Sequence, residues 1–164
     1  MQQPTNRRQS FKLLAAFAAS LSSLPALASA ASTKTPMEVW KDPSCCCCKD
    51  WIVLMEQSGF AVKVHEVGNN GVRAQLGLPQ RLGSCHTALV GGYLIEGHVP
   101  AADVRKLLKE KPKALGIVVP GMPVGSPGMD GPEYGGRKDP YDVLLVTKNL
   151  MGSDVSTRVF TSYR

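Results

Sequence analysis

Four consecutive cysteines, Cys45–Cys48, placed directly behind Asp42-Pro43-Ser44, constrain this chain more than any other feature. Met37–Lys41 (MEVWK) before them alternates apolar and polar residues and reads as a strand. Asp42-Pro43-Ser44 is a turn, with Ser44 a natural N-cap. From Cys45 to Ser58 the pattern becomes helical: Cys48, Ile52 and Met55 make one apolar stripe, and Gly59 ends the segment. The cysteines thus occupy a helix N-terminus, where unpaired N–H groups and the helix dipole favour negative charge and lower thiol pKa values. A bond between adjacent cysteines is strained, so only Cys45 and Cys48, three apart on one face, pair naturally. Cys47 points away along an ideal helix, toward the side of Trp51 and Leu54, unless the first turn distorts. Cysteine as a small buried hydrophobe is a poor account of four in a row at such a position.

Downstream, Phe60–Val67 alternates strictly and gives a second strand; Gly68–Gly71 is a turn, and Val72–Leu76 a short helix stopped by Gly77 and Pro79. Thr87–Val90 and Tyr93–Gly97 form a hairpin across Gly91-Gly92. A helix starts near Pro100, with Val104, Leu107 and Leu108 on its apolar face. The order is β-α-β-α-β-β-α. Ala114–Val119 leads into a loop rich in Gly, Pro and Met (121–129), and Asp142–Val146 with Val155–Thr161 forms a C-terminal strand pair. The fold class expected is α/β.

Arg7, Arg8 and Lys12, the apolar run Leu13–Leu24 and Ala28-Ser29-Ala30 read as a cleaved signal peptide over residues 1–30. Residues 31–36 read as a polar leader and 37–164 as one domain. Export by the general secretory route is expected, with Arg7-Arg8-Gln9-Ser10-Phe11-Lys12 hinting at the twin-arginine route instead. Cleavage removes three of the 19 basic residues and no acidic one, leaving sixteen against thirteen, a net +3. That surplus, without basic runs interleaved with aromatics, indicates neither a nucleic-acid partner nor a membrane partner for the mature chain. All 5 cysteines survive, an odd number, so an oxidising compartment leaves at least one outside any intramolecular disulfide.

The strand, the Pro-x-Cys-x-x-Cys turn, the helix and the later ββα unit resemble the thioredoxin fold. In that fold a cis-proline loop faces the cysteine pair; here Ser84-Cys85-His86-Thr87 holds that place, with His86 where the proline would be. The resemblance narrows on four segments in order: Asp-Pro-Ser-Cys-x-Cys-Cys at 42–48, Ser-Cys-His-Thr at 84–87, Glu-Gly-His-Val-Pro at 96–100 and Gly-Met-Pro-Val-Gly-Ser-Pro-Gly-Met at 121–129. Together they resemble the periplasmic copper-resistance family of CopG, thioredoxin-like metal-binding proteins, over roughly Met37 to Val146. The resemblance implies a periplasmic copper-binding protein with redox chemistry toward copper. It implies Cys45, Cys47, Cys48, Cys85 and His86 as ligands, with Met122 and Met129 from the loop. Cys46 departs from the family pattern, which carries a small residue such as glycine there; an extra thiol could join a cluster, scramble the pairing or sit idle.

Ligand chemistry agrees. Thiolates and thioethers are soft and select copper(I), zinc or iron–sulfur clusters, and methionine favours copper. Zinc would be satisfied by cysteine and histidine and leave Met122 and Met129 without a role. The expected metal is copper, as Cu(I) with Cu(II) as a second state; zinc is the lesser alternative. His98 is either a ligand or a turn histidine. Met122 and Met129 are either ligands or plugs packed on the domain. His65 reads as a strand residue, Met55 as core, and Trp40 and Trp51 as packing around the site. Beyond the metal ion, other periplasmic copper-handling proteins are the expected partners. Two other functions fit the same cysteines: a thiol–disulfide oxidoreductase using Cys45 and Cys48, and a structural zinc module.

Overall fold

The computed structural model describes residues 34–149 and 154–164; the signal peptide read over 1–30 and the start of the leader lie outside the described residues. Among the described residues there are seven strands and three α-helices: β1 (Thr35–Lys41), α1 (Cys46–Gln57), β2 (Phe60–His65), α2 (Asn70–Leu76), β3 (His86–Val90), β4 (Tyr93–Glu96), α3 (Ala101–Glu110), β5 (Gly116–Val118), β6 (Tyr141–Lys148) and β7 (Val155–Tyr163). All strands join one sheet in the order β2-β1-β3-β4-β5-β6-β7. β1 runs parallel to β2 and antiparallel to β3; β4 is antiparallel to β3 and parallel to β5.

Period-two alternation divides the core between the two faces of the sheet. On one face Val39, Ala88, Ile95, Ile117 and Leu145 pack against Trp51, Ile52 and Met55 of α1 and Val104 and Leu107 of α3. On the other, Leu94, Val118, Val146 and Val155 meet Leu78 and Leu82, which follow α2. Among the described residues no helix is long and apolar enough to cross a membrane.

Three expectations are corrected. Ala114–Val119, read as a run into the loop, contains β5, whose residues pair with β4 and with β6 and so carry the C-terminal strands into the main sheet. All three residues of β5 are buried, so no alternation marks them. Helix α2 begins at Asn70 rather than Val72. The cap of α1 is Cys45 rather than Ser44. Asp42 Oδ1 accepts the Ser44 N–H at 2.9 Å and the Ser44 hydroxyl at 2.5 Å, so Ser44 is spent inside the turn and the helix starts one residue later.

Candidate metal centre

The first turn of α1 faces the loop that leads into β3. Cys45 and Cys48 form a disulfide, with Cα atoms 5.5 Å apart, as their spacing allows. Cys47 does not point away: its Sγ lies 3.6 Å from Cys45 Sγ. Cys45, as the cap residue, is in extended backbone, φ −70° and ψ 100°. Cys48 is buried, and its Sγ lies 3.7 Å from the Cys85 carbonyl oxygen. Cys45, Cys47, Cys48 and Cys85 therefore form one group whose sulfurs lie within 4.8 Å of one another.

Cys85 also belongs to a second group, with His86 and His98, again within 4.8 Å. Its Sγ is 3.3 Å from His86 Nδ1 and 3.0 Å from His98 Nε2. Both imidazoles are fully buried. His86 packs on the Trp51 indole, ring centroids 4.3 Å apart, and meets His98 edge-on at 5.1 Å. Among the described residues His86 Nε2 is a buried polar atom with no hydrogen-bond partner, an arrangement that costs free energy unless something fills it. His98 Nδ1 donates to the Pro127 carbonyl at 2.8 Å. That bond fixes the proton on Nδ1 and leaves the Nε2 lone pair facing Cys85, as a ligating histidine requires.

The Gly/Pro/Met loop supplies that carbonyl because it lies directly on the helix start. Gly128, at φ +80°, approaches so closely that a Cβ there would stand 2.8 Å from both the Cys47 carbonyl oxygen and the Trp51 nitrogen. Met129, next in sequence, is 8% exposed, and its Sδ accepts from the Tyr134 hydroxyl at 3.3 Å. Met122 is 52% exposed; it follows Gly121, whose carbonyl accepts from the Ser84 hydroxyl beside Cys85. Cys46 is exposed, with Sγ 3.6 Å from the Ser44 carbonyl oxygen, outside both groups. His65 is a strand residue, stacked on Trp40 and 2.7 Å from Glu38 Oε2. Met55 is wholly buried in the core.

Electrostatics favour neutral imidazoles and protonated thiol in the absence of metal. Burial, reinforced by His98, holds the His86 pKa well below the ordinary histidine range, and burial lowers His98 as well. Burial pushes the Cys85 thiol up to about 12, with Cys47 adding to the effect. A metal must displace the Cys85 proton, so loading releases protons and binding tightens as pH rises. The histidines have a separate consequence. In the unfolded chain they take up protons below about pH 6.5, which the folded protein resists, so stability falls as pH drops through that value. Reduced, metal-free protein should therefore melt at lower temperature at pH 5 than at pH 7, and His86→Leu should lessen the drop. A melting temperature that is flat with pH in the parent would contradict the assignment of buried neutral histidines.

The donor set of thiols and neutral imidazoles suits a soft metal such as copper(I). Two solved structures, named copper resistance protein CopG Form 1 and Form 2, are each 42% identical in sequence, with TM-scores of 0.69 and 0.70. The matches cover 79% and 80% of this chain and 98% and 99% of theirs. The chain belongs to the CopG copper-resistance family. A family model described as a protein of unknown function, DUF411, matches residues 82–129, the stretch from the Cys85-His86 loop to Met129. No curated protein matches at the same standard. Family membership with a Cys/His cluster able to hold a metal points to copper binding.

Two contributors are not legible in the sequence as parts of the site. The Pro127 carbonyl is a backbone group, and no residue-type signal marks it. The Tyr134 hydroxyl on Met129 lies within a segment without regular period, where only the five-residue separation from Met129 hinted at proximity.

Proposed function

We propose that this chain is an exported, periplasmic protein that holds Cu(I) as a multinuclear thiolate cluster in copper resistance or homeostasis, with redox activity toward copper. One observation carries the reading: a four-sulfur group and a Cys-His-His group share Cys85. A thiolate can bridge two copper ions, so a shared cysteine between adjoining groups suits more than one ion. Cys45, Cys47, Cys48, Cys85, His86 and His98 are the proposed ligands, with Met129 and Met122 closing over them from the loop. A thioredoxin-like fold is part of the proposal, supported by the order β2-β1-β3-β4 with β1 and β2 parallel and β3 antiparallel to both its neighbours.

The Cys45–Cys48 disulfide is the oxidised form of a two-electron pair. In the proposed redox step two Cu(II) ions each take one electron from the reduced pair. The products are two Cu(I), one disulfide and two protons. Reduction of that bond by an external thiol returns both sulfurs to the ligand set. Protein recovered from the periplasm of copper-stressed cells should contain copper in excess of one equivalent per chain; protein carrying zinc alone would overturn the reading. Met129→Leu and Met122→Leu should each weaken retention of Cu(I) against a chelator, Met129→Leu the more, since Met129 is buried and Met122 exposed. Equal retention in both variants and the parent would remove the methionines from the site.

The disulfide, with the Cys47 sulfur 3.6 Å from Cys45 Sγ, also favours a second reading as a thiol–disulfide oxidoreductase. His86→Pro separates the two: copper retention should collapse while reduction of insulin disulfides rises. Fast insulin reduction by the copper-free parent, with no copper taken up, would favour the second.

A further inference from the structure

A buried polar cluster on the α2 face of the sheet has no part in the site described so far. Glu96 of β4 is fully buried, and Arg73 of α2 is 3% exposed. They form an ion pair at 2.8 Å. A buried pair of this kind is weak evidence for stability, since desolvating both charges offsets their attraction. Its hydrogen bonds converge instead on the backbone of one residue, Ser84. Glu96 Oε1 accepts the Ser84 N–H at 2.7 Å, while Arg73 Nη1 and Asn69 Nδ2 each donate to the Ser84 carbonyl at 3.1 Å. Glu96 Oε2 accepts from Thr87 Oγ1 at 2.5 Å, and Asn69 Nδ2 donates to the same hydroxyl at 3.2 Å. Cys85 and His86 are the two residues between these anchors.

The approach of Arg73 is built into the chain. A Cβ on Gly83 would stand 2.5 Å from Arg73 Nη1, so glycine at that position is what lets the guanidinium reach the Ser84 carbonyl. The same segment holds the start of the Gly/Pro/Met loop, through Gly121 N–H to the Gly83 carbonyl at 3.1 Å and the Ser84 hydroxyl to the Gly121 carbonyl.

We infer that Arg73, Glu96 and Asn69 are positioning residues for copper: by holding both the N–H and the carbonyl of Ser84 they fix where the Cys85 sulfur stands between the two ligand groups. The inference rests on the copper reading above. In a site whose shared ligand must meet sulfurs on one side and imidazoles on the other, small displacements of Cys85 loosen both groups together.

Removing one partner alone would leave an unpaired buried charge, so the informative variant replaces both. Exchanging a buried ion pair for apolar residues of similar volume is often neutral or stabilising. Arg73→Met with Glu96→Leu should stay folded but melt several degrees below the parent, since the Ser84 N–H and the Thr87 hydroxyl lose their acceptor. In reduced, metal-free protein it should lose the amide-exchange protection of Ser84. Its retention of Cu(I) against bathocuproine disulfonate should fall by about 10- to 100-fold, the usual effect of losing an outer-shell support. A folded double variant with parental copper retention overturns the inference. If the double variant fails to fold, Asn69→Ala decides the matter, because it keeps the ion pair and removes one of the two donors to the Ser84 carbonyl. A smaller loss of retention at an unchanged melting temperature supports positioning, and unchanged retention overturns it. A parent that retains no copper would defeat the copper reading instead. Ser84 would then judge the grip by itself: parental amide protection in a folded double variant, or an unchanged Ser84 carbonyl carbon shift in Asn69→Ala if the double variant does not fold, overturns it, and a change in either supports it.

Discussion

Cys85→Ser is expected to strip the protein of most of its copper while leaving the fold intact. Cys85 is common to the four-sulfur group and the Cys-His-His group, so its loss removes a ligand from each at once. Serine keeps the shape but offers a hard oxygen that copper(I) does not favour. The side chain is only partly buried and its contacts are with other site residues, so the metal-free protein should melt within a few degrees of the parent. Loss of an outer-shell partner costs about 10- to 100-fold in metal affinity, and loss of a shared ligand should exceed the upper end of that range. Copper counted after gel filtration in the presence of a chelator checks it. Cys46→Ser, altering an exposed thiol outside both groups, should behave as the parent. Parental copper in Cys85→Ser would show that the two groups do not act as one site.

Gly128→Ala should have a large effect for a change made outside the ligand set. At φ +80° an alanine costs about 1–2 kcal/mol in backbone strain alone. Its Cβ would also stand 2.8 Å from two backbone atoms at the start of α1, neither of which belongs to a flexible side chain. The loop must lift. Lifting draws the Pro127 carbonyl away from His98 Nδ1 and Met129 away from its buried seat, so the tautomer that aims the His98 Nε2 lone pair at Cys85 is no longer fixed. Copper retention should fall by at least about tenfold, and the melting temperature of the metal-free protein by several degrees. A nitrogen chemical-shift measurement on the His98 ring would show the loss of the fixed tautomer directly. Unchanged retention and an unchanged ring signature would mean that the loop does not support the site.

Local features were legible in the sequence, and long-range ones were not. β1, β2 and the β3–β4 hairpin are marked by alternation and by Gly91-Gly92, and α1 by the spacing of Cys48, Ile52 and Met55, all three buried. β5 escaped because three residues buried on both faces carry no period. The cap of α1 was misplaced by one residue because Asp42 and Ser44 are both capping types, and only their geometry says which is spent in the turn. In the site itself, Cys47 Sγ stands 3.6 Å from Cys45 Sγ instead of turning toward Leu54. The grouping of Cys85 and His86 with the first cysteines was readable only through the resemblance to a known family, because some forty residues separate them. His98 could not be resolved from a turn histidine: its partners are a thiol thirteen residues away and a carbonyl twenty-nine residues away. Nothing in the sequence pairs Arg73 with Glu96, and only the fold buries them and brings them together.

The central claim is that two ligand groups joined at Cys85 hold more than one copper ion. X-ray absorption at the copper edge, on reduced protein titrated anaerobically with Cu(I), tests it most directly. The account predicts uptake beyond one equivalent per chain, a first shell of sulfur with a histidine nitrogen contribution, and a short copper–copper scattering path. Saturation at a single equivalent with no copper–copper path would contradict it.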